Sequence, residues 1–570
     1  MSIASCGDSG SHDPREQVNR VATEFLDGYF QKYPEEAAEF GYMDGPLDRF
    51  GDHSQESNDR WDGAVDTWLR QLNEIDSTDI DGTPEAVTYV FTRERLQNIV
   101  DARVCRFQNW NISPVWTGWQ SRFVGTLANQ PIATSAERAA ALARAEDIPR
   151  YIDTEINNLR IGLDEGYRAP QSNVIAVVNQ ITSLIDAPVE DSPFASPASR
   201  SQDATFVQAY QDVLTRLIVP ALVRYRDFLD KQYQGRGAIG VSSNLDGESC
   251  YTAAVQYWSS VSISAVDIHQ MGIAEMSRIH DELQQIAKVH FGTDDLSALF
   301  EEMRTNDDYL FNGEEEMLDY VEAAVSAAER AMDAWFEVVP DVELIIYPAP
   351  QFEKDSGGGF YTSGLRDGKN VGFYKVGTYN PTQIPKAGAE ATAFHETWPG
   401  HHLQGTIAAS NEALHPIMQF MYVSGTGEGW GLYAERLSDE IGLYSSPLSR
   451  LGMLSNEAWR AARLVVDPGL HVLGWTRQQA IDYMLQNTAA GYDGIVFEVD
   501  RYAAVPGQAT SYMIGSLDIL RLRRLAETEL GDRFDIKQFH SRVLENGAVT
   551  IPMVRAAVES WIESTTVQDN

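Results

Sequence analysis

The sequence predicts a mainly α-helical protein that contains one small antiparallel β-sheet. Val18, Val21 and Phe25 recur at spacings of three and four residues, which places them on one face of a helix. The same apolar spacing returns between residues 317 and 335. Between residues 343 and 376, short β-prone runs alternate with glycine-rich turns. The expected fold class is therefore mainly α, with the sheet as a minor element.

The chain is predicted to have three parts. Residues 1–13 form an N-terminal tether, residues 14–340 a helical region, and residues 341–570 a catalytic region with the small sheet. Polar breaks rich in proline or glycine separate the long helical stretches. We expect the two larger regions to form the walls of a cleft, which is where proteins usually bind a ligand.

The charge balance limits the classes of partner. Asp and Glu number 83 against 44 Lys and Arg, which gives a formal net charge of −39. Because such a surface repels phosphate backbones, we expect no nucleic-acid partner. No apolar run reaches the ~18 residues that a membrane span requires. The sequence therefore predicts no transmembrane segment.

The three cysteines bear on the cellular location of the protein. None belongs to a Cys-x-x-Cys pair, which disfavours a cysteine metal site. Cys6 lies in Ile-Ala-Ser-Cys-Gly, which fits a bacterial lipoprotein processing site, although no basic or apolar export segment precedes it. We expect a place in the bacterial cell envelope, either periplasmic or lipid-anchored at Cys6; the alternative is the cytoplasm. In an oxidising envelope Cys105 and Cys250 could pair.

The segment from His395 to Gln404 carries the most specific chemical signal. Its sequence is His-Glu-Thr-Trp-Pro-Gly-His-His-Leu-Gln, and it holds three of the 11 histidines. In zinc hydrolases, a His followed directly by Glu has its second His four positions further along the helix. Here that position is Pro399, and His401 and His402 come later. On an unbroken helix six residues amount to ~120° and ~9 Å, so the first two histidines could not bind one ion.

Pro399 and Gly400 offer a way round this spacing. Proline interrupts the hydrogen-bond ladder and glycine permits unusual backbone angles, so the helix can bulge at this point. Two bulged residues return His401 to the position of the second ligand, and we prefer His401 to His402. The alternative is that the histidines merely decorate a helix end, but their clustering beside Glu396 disfavours it.

Glu428 is the predicted third ligand. A catalytic zinc takes three protein ligands and keeps one position open for water. Residues 427–435 (Gly-Glu-Gly-Trp-Gly-Leu-Tyr-Ala-Glu) resemble the Asn-Glu-Gly-Phe-Ala segment of zinc aminopeptidases, in which the Glu is the third ligand. Glu435 follows on the same helix face, where it either orients a ligand histidine or is a solvated charge. The expected cofactor is Zn²⁺, held by His395, His401 and Glu428.

Several segments together resemble the largely bacterial family catalogued as domain of unknown function 885. Besides the two motifs above, these segments are Asp246-Gly-Glu near Tyr251, residues 268–279, residues 463–475 and residues 506–515. The resemblance covers nearly the whole chain, and His-Glu-x-x-Pro-Gly-His is its most specific element. It implies a zincin-like (gluzincin-like) metallopeptidase fold with long helices around a deep cleft. Many members resemble exported lipoproteins, which agrees with Cys6.

Five further residues are assigned candidate roles. His471 and Tyr512 could donate hydrogen bonds to the oxyanion that forms when water attacks a carbonyl. Arg463 could hold a substrate carboxylate in a bidentate pair. Tyr361 and Phe373 stand in the predicted sheet and are assigned to substrate binding, because an edge strand can pair with a peptide backbone. For His471, Tyr512 and Arg463 the alternative is a packed or hydrogen-bonded interior residue.

The predicted function is that of a zinc-dependent metallopeptidase acting on a peptide or small amide. Glu396 is the predicted general base, which takes a proton from the attacking water and passes it to the leaving amine. One alternative is a zinc amidase or esterase that acts on a small non-peptide molecule. A second is a catalytically degenerate, exported binding protein. The intact Glu396 disfavours the second alternative, because a structural zinc needs no base beside its ligand.

Overall fold

The computed structural model of the 570-residue chain describes residues 13–42, 44–349, 359–366 and 369–567. Apart from Asp13, the predicted tether lies outside the described residues, and so does the lipoprotein interpretation of Cys6. The described chain is mainly helical and holds three short strands, which confirms the predicted fold class at that level. None of its helices is long and apolar enough to cross a membrane.

Fifteen of the described α-helices precede the sheet. They are α1 (Pro14–Lys32), α2 (Pro34–Glu39), α3 (Gln55–Asn73), α4 (Pro84–Ala102), α5 (Trp119–Asn129), α6 (Ser135–Glu165), α7 (Gln171–Asp186), α8 (Ser196–Ser199), α9 (Ala204–Val213), α10 (Val219–Lys231), α11 (Gly247–Ser259), α12 (Ala265–Ile286), α13 (Leu296–Thr305), α14 (Glu314–Glu329) and α15 (Met332–Trp335). A π-helical turn, Leu214–Ile218, joins α9 to α10, and a second, Ala287–Phe291, extends α12.

Ten more described α-helices follow the sheet. They are α16 (Ala389–Glu396), α17 (His401–Ser410), α18 (Ile417–Phe420), α19 (Ser424–Ile441), α20 (Pro447–His471), α21 (Arg477–Asn487), α22 (Tyr492–Ala504), α23 (Ser511–Leu530), α24 (Ile536–Leu544) and α25 (Ile551–Val567).

Helix α1 illustrates how a capping residue and a spaced set of apolar residues determine where a helix begins and which face it buries. Asp13 caps α1 by accepting a hydrogen bond from the backbone N–H of Arg15, and a proline occupies the first turn. Val18, Val21 and Phe25 are fully buried. The predicted apolar face is thus the face that α1 packs against the core.

The sheet differs from its prediction in one respect, because it is mixed and not antiparallel. Its strands are β1 (Leu344–Pro348), β2 (Phe360–Arg366) and β3 (Lys369–Val376), in the order β1-β3-β2. β2 and β3 pair antiparallel, as neighbours in sequence commonly do, whereas β1 lies parallel to β3 on its other side. Local alternation of residues predicts strands, but it does not determine which strands become neighbours. β2 therefore remains at one edge of the sheet.

Two of the large apolar clusters join the N-terminal and C-terminal parts of the chain. In the first, α1, α3, α4 and α14 pack with α16–α19 and α23–α25, so that Phe25 and Trp430 share one core. In the second, α11–α13 pack with α20–α22. A third cluster lies within α5–α10. The buried cysteines Cys105 and Cys250 form a disulfide that ties the end of α4 to α11, a pairing that the sequence left open.

Candidate metal centre

The two histidines of the His-Glu motif meet because the helix between them is interrupted. α16 ends at Glu396 and α17 begins at His401, so residues 397–400 leave the helix altogether. This break replaces the two-residue bulge that the sequence predicts. An added Cβ on Gly400 would overlap the carbonyl oxygen of His395, so the chain can fold back tightly only with glycine at this position. The rings of His395 and His401 come within 4.8 Å, centroid to centroid.

Glu428 completes a compact group of three potential ligands. Its Oε2 lies 3.3 Å from Nε2 of His395 and 3.5 Å from Nε2 of His401. One ligand atom from each of the three residues lies within 4.8 Å of the others. Zinc bonds of about 2.0–2.1 Å at tetrahedral angles separate ligand atoms by roughly 3.3 Å. The separations of 3.3 Å and 3.5 Å between Glu428 and the two histidines fit such an ion, and three protein ligands would leave one position open.

Close packing of α19 against α23 brings Glu428 into place. An added Cβ on Gly515 would overlap the carbonyl oxygen of Gly425, and one on Gly429 would stand 2.6 Å from Cα of Gly515. The two helix backbones can approach this closely only because these positions lack side chains. Glu428 on α19 and Tyr512 at the start of α23 consequently face the same space.

Hydrogen bonds within the buried His-His-Glu group oppose the effect of burial on the pKa values of its side chains. Burial raises the pKa of Glu428, but hydrogen bonds from His395 and His401 outweigh burial and hold that pKa well below its ordinary value. Burial lowers the pKa of His395, but its bonds to Glu428 and Glu435 outweigh burial and raise that pKa to about 9. A metal ion would replace the protons that otherwise bridge these groups.

Glu435 contacts His395 at the ring nitrogen that does not face Glu428. Its Oε1 accepts a hydrogen bond from Nδ1 of His395 over 2.9 Å, and Arg460 approaches the same oxygen to 3.6 Å. Glu435 is 1% exposed, so it is not the solvated helix charge of the alternative interpretation. This bond directs Nε2 of His395 towards Glu428 and His401.

Glu396 lies beside the three ligands without belonging to them. Its Oε2 accepts a hydrogen bond from the backbone N–H of Tyr361 on β2, over 3.0 Å. Burial raises the pKa of this carboxyl, and the nearby His401 and His395 oppose the rise. A carboxylate with a raised pKa suits proton transfer near neutral pH.

His402 lies away from the group. Its Nδ1 lies 3.2 Å from the Tyr361 hydroxyl, and its Nε2 lies 3.2 Å from the carbonyl oxygen of Val342. The side chain is fully buried, and burial lowers its pKa to about 4. With both ring nitrogens engaged, His402 anchors α17 to the sheet.

His471 is not brought to the candidate centre either, which corrects its assignment as an oxyanion donor. Its Nδ1 accepts a hydrogen bond from the backbone N–H of Val241, and its Nε2 lies 2.9 Å from the carbonyl oxygen of Tyr502. The ring is 0% exposed and stacks on Tyr251. Burial lowers its pKa to about 3. No ring nitrogen remains for a substrate.

Arg463 also has internal partners, and its role as a carboxylate clamp stays a prediction. Its guanidinium donates to Glu498 over 3.0 Å and to the hydroxyl of Tyr502 over 3.1 Å. It lies 4.4 Å from the ring centre of Tyr512 and is 6% exposed. Arg463 therefore lies against the ring of Tyr512, and its Nη1 has no hydrogen-bond partner among the described residues. Tyr512 itself faces the ligands, with its ring 6.4 Å from that of His395.

Tyr361 and Phe373 point to opposite faces of the sheet, so they do not form one binding surface. Tyr361 is opposite Tyr374 in the strand pairing, whereas Phe373 is opposite Thr362. The backbone N–H of Tyr361 donates a hydrogen bond to Glu396, and its hydroxyl is hydrogen-bonded to His402. Phe373 packs near Tyr347, 6.5 Å between ring centres, on the face of the sheet away from Tyr361, and its assignment to the substrate site stays a prediction.

Tyr422 is a neighbour of the centre that sequence reasoning missed. It lies between α18 and α19, six residues before Glu428, and is 39% exposed. Burial and the charge of Glu428 raise the pKa of Tyr422 well above its ordinary value. An added Cβ on Gly427 would overlap the Tyr422 ring. Gly427 is the feature of the sequence that could have indicated this neighbour. A glycine beside Glu428 leaves room for an aromatic ring to lie against the backbone.

The fold and the His-His-Glu group define a mainly helical protein with a candidate metal centre. The family described as "Bacterial protein of unknown function (DUF885)" matches residues 34–558, and the chain belongs to this family. No curated protein matches the sequence.

Solved structures of other proteins share the fold, and two of them illustrate the likeness. One is a presumed lipoprotein from Colwellia psychrerythraea, with a TM-score of 0.89 and 24% identity over 97% of this chain and 100% of that chain. The other is a presumed lipoprotein of unknown function from Shewanella oneidensis, with a TM-score of 0.74 and 16% identity over 95% of this chain and 99% of that chain. At these identities the likeness concerns the fold.

Proposed function

We propose that the protein is a zinc-dependent hydrolase of the metallopeptidase type, with a zincin-like centre in a cleft. One observation carries the proposal. His395, His401 and Glu428 converge at separations that suit a tetrahedral ion, while the adjacent carboxylate of Glu396 stays outside the ligand set. A structural zinc site needs four ligands and no such base, whereas a catalytic site needs three ligands and a base.

The side chains supply the remaining parts of an amide hydrolysis. When zinc is bound, its Lewis acidity polarises the scissile carbonyl and lowers the pKa of a coordinated water towards ~7. Glu396 accepts a proton from the attacking water and returns it to the leaving nitrogen. The C–O bond forms and the C–N bond breaks, so one water and one amide give one carboxylic acid and one amine. Glu435 keeps His395 in the orientation that ligation requires.

The edge strand β2 supports a peptide as the substrate. The backbone N–H of Tyr361 points away from β3 to Glu396. Because alternate residues of a strand direct their polar groups to the same side, Ser363 presents its N–H and C=O along that same edge. Ser363 is exposed, and within the described residues β2 pairs with β3 alone. An extended peptide could add to this edge beside Glu396.

The proposed location is the bacterial cell envelope. The two proteins of the same fold are presumed lipoproteins. Cys6 fits a lipid-attachment site, and the Cys105–Cys250 disulfide fits an oxidising compartment. Three independent features therefore agree with an exported protein.

A peptide-library screen tests the function. The zinc-loaded full-length protein is incubated with the library, and the products are identified by mass spectrometry. We expect cleavage products that disappear when zinc is removed with a chelator and return when zinc is restored. A parallel panel of small esters and non-peptide amides tests the amidase or esterase alternative. Zinc-dependent binding without turnover of any of these compounds would favour the binding protein and contradict the proposal.

A further inference from the structure

We propose that Tyr422 donates a hydrogen bond to the oxyanion that develops on the attacked carbonyl. This inference rests on the proposed hydrolytic function and adds a residue that no sequence motif singles out. The sequence predicts this role for His471, but His471 is buried and both of its ring nitrogens are hydrogen-bonded to the backbone. It also predicts this role for Tyr512, and the structure places Tyr422 close to both Tyr512 and Glu428.

The phenol of Tyr422 combines contact with the centre and access from solvent. A Cβ added to Gly427 would overlap the Tyr422 hydroxyl oxygen, so this hydroxyl lies against the backbone beside Glu428. The Glu428 carboxylate is its hydrogen-bond partner. Tyr422 is 39% exposed, so part of the residue borders solvent beside the centre. A phenol beside a metal ligand can turn its O–H from the carboxylate to a substrate oxygen that gains negative charge. No proton needs to leave Tyr422 in this role.

Two features of the fold hold Tyr422 in this position. On one side the ring lies against Gly427, where any larger residue would overlap it. On the other side, Tyr422 follows α18, whose Phe420 packs against Phe30 and Tyr42 at ring separations of 6.0 Å and 5.2 Å. The N-terminal helices thus fix the segment that carries the phenol. Such restraint is what a preorganised donor requires.

Tyr512 has a different environment and is expected to serve a different purpose. Arg463 lies 4.4 Å from its ring centre, and Gln508 interacts with its hydroxyl. These partners hold Tyr512 within a buried polar network. Tyr422 is the more exposed of the two tyrosines.

Binding of acetohydroxamate to the cobalt-loaded protein tests the inference without a known substrate. Its two oxygens stand in for the attacked carbonyl oxygen and the attacking water, and the visible spectrum of Co²⁺ reports when they bind. We expect Tyr422→Phe to retain full cobalt and to bind the probe about tenfold more weakly or worse, since a hydrogen bond to a charged group is lost. Tyr492→Phe, an exposed tyrosine on α22, should bind the probe as the wild type does.

A second variant keeps the hydroxyl but displaces it. Gly427→Ala pushes the Tyr422 ring aside and should weaken probe binding to a similar extent. The double variant Gly427→Ala/Tyr422→Phe should then be no weaker than Tyr422→Phe, because both changes remove one hydrogen bond. A clearly weaker double variant would show that Gly427 acts on the centre by another route.

The possible failures are distinguishable. Probe affinity in Tyr422→Phe within twofold of the wild type, at full cobalt occupancy, would overturn the role of Tyr422 alone. Loss of cobalt from Tyr422→Phe would also overturn it and would make Tyr422 a support for Glu428. A wild-type protein that takes up no cobalt would refute the proposed function itself, and the inference with it.

Discussion

The buried carboxylate of Glu435 accepts a hydrogen bond from Nδ1 of His395 over 2.9 Å, and Nε2 of the same ring faces Glu428 over 3.3 Å. Because a carboxylate only accepts, this relationship places a proton on Nδ1 of His395 and leaves Nε2 as the ring nitrogen that could ligate an ion once its own proton is lost. In the proposed centre Glu435 is therefore a positioning residue, which would act on an ion through His395 without touching it.

Removal of Glu435 should weaken zinc binding while leaving all three ligands in place. We expect Glu435→Ala to lose about 10- to 100-fold in zinc affinity, the range typical of such supporting residues. Glu435→Gln keeps a hydrogen-bond acceptor and should lose less. Competition with a chelator of known affinity measures both. Glu440→Gln, on the exposed part of the same helix, is the control and should bind zinc normally. Unchanged affinity in Glu435→Ala would contradict the positioning role.

The choice between His401 and His402 gives a second prediction. His401→Asn should lose most of the zinc, because Nε2 of His401 lies 3.5 Å from Glu428. His402→Asn should keep about one zinc per chain but unfold at a lower temperature, because it loses the contacts with Tyr361 and Val342. Elemental analysis and thermal unfolding measure the two effects separately. The reverse result would make His402 the ligand.

Gly431 gives a third prediction, because it lies against the ligand histidine. A Cβ at this position would stand 2.6 Å from Cε1 and 2.7 Å from Nε2 of His395. Gly431→Ala should therefore displace the ring and lower zinc affinity at least tenfold, although alanine favours the helix by about 1 kcal/mol. Gly63→Ala on α3 has open space around the added Cβ and should leave zinc affinity unchanged. Normal zinc affinity in Gly431→Ala would show that the contact between α19 and the His395 ring is looser than described.

Much of the centre follows from local sequence. The spacing from His395 to His401 excludes an unbroken helix, and Pro399 and Gly400 indicate where it breaks. Glu428 follows from the resemblance of its segment to the one that carries the third ligand in zinc aminopeptidases. The size of the break was underestimated, because the fold-back of Gly400 over His395 depends on three-dimensional packing and not on helix periodicity.

Assignments that rest on residue type alone are less secure, and the one made for His471 is wrong. His471 and Arg463 are chemically suited to catalysis, but their partners come from distant segments, at Val241 and Glu498. A sequence does not show which buried polar groups will satisfy one another. Tyr422 was missed for the complementary reason, since its approach to Glu428 depends on how α18 docks between helices far away in the chain.

Asp467 provides a prediction about stability and pH. Burial raises its pKa to about 7, although hydrogen bonds from Tyr251 and from the backbone N–H of Gly507 oppose the rise. The unfolded chain loses this proton near pH 3.9. Between these two values the folded state binds more protons than the unfolded state, so this contribution to stability falls as the pH rises and is lost above about 7.

Asp467→Asn mimics the protonated side chain and removes this dependence. The free energy of unfolding of the variant minus that of the wild type should therefore be larger at pH 8 than at pH 5. Urea unfolding at both pH values measures the difference. Asp482→Asn, at an exposed position on α21, should show the same difference at both. A gap for Asp467→Asn that narrows from pH 5 to pH 8 would contradict the raised pKa.

The last prediction separates catalysis from metal binding through Glu396. On a helix, the side chain of Glu396 points ~100° away from that of His395, which suits a group that reaches the attacking water without ligating the ion. Glu396→Gln keeps the shape of the side chain and can still accept the hydrogen bond from the backbone N–H of Tyr361. It cannot take up a proton, and loss of a general base typically costs a factor of ~10² to 10⁴ in rate. We therefore expect the variant to fold normally, to retain its zinc, and to lose nearly all hydrolysis of any peptide that the wild type cleaves. Zinc content and turnover are measured on one preparation, and near-wild-type turnover with full zinc would exclude Glu396 as the base.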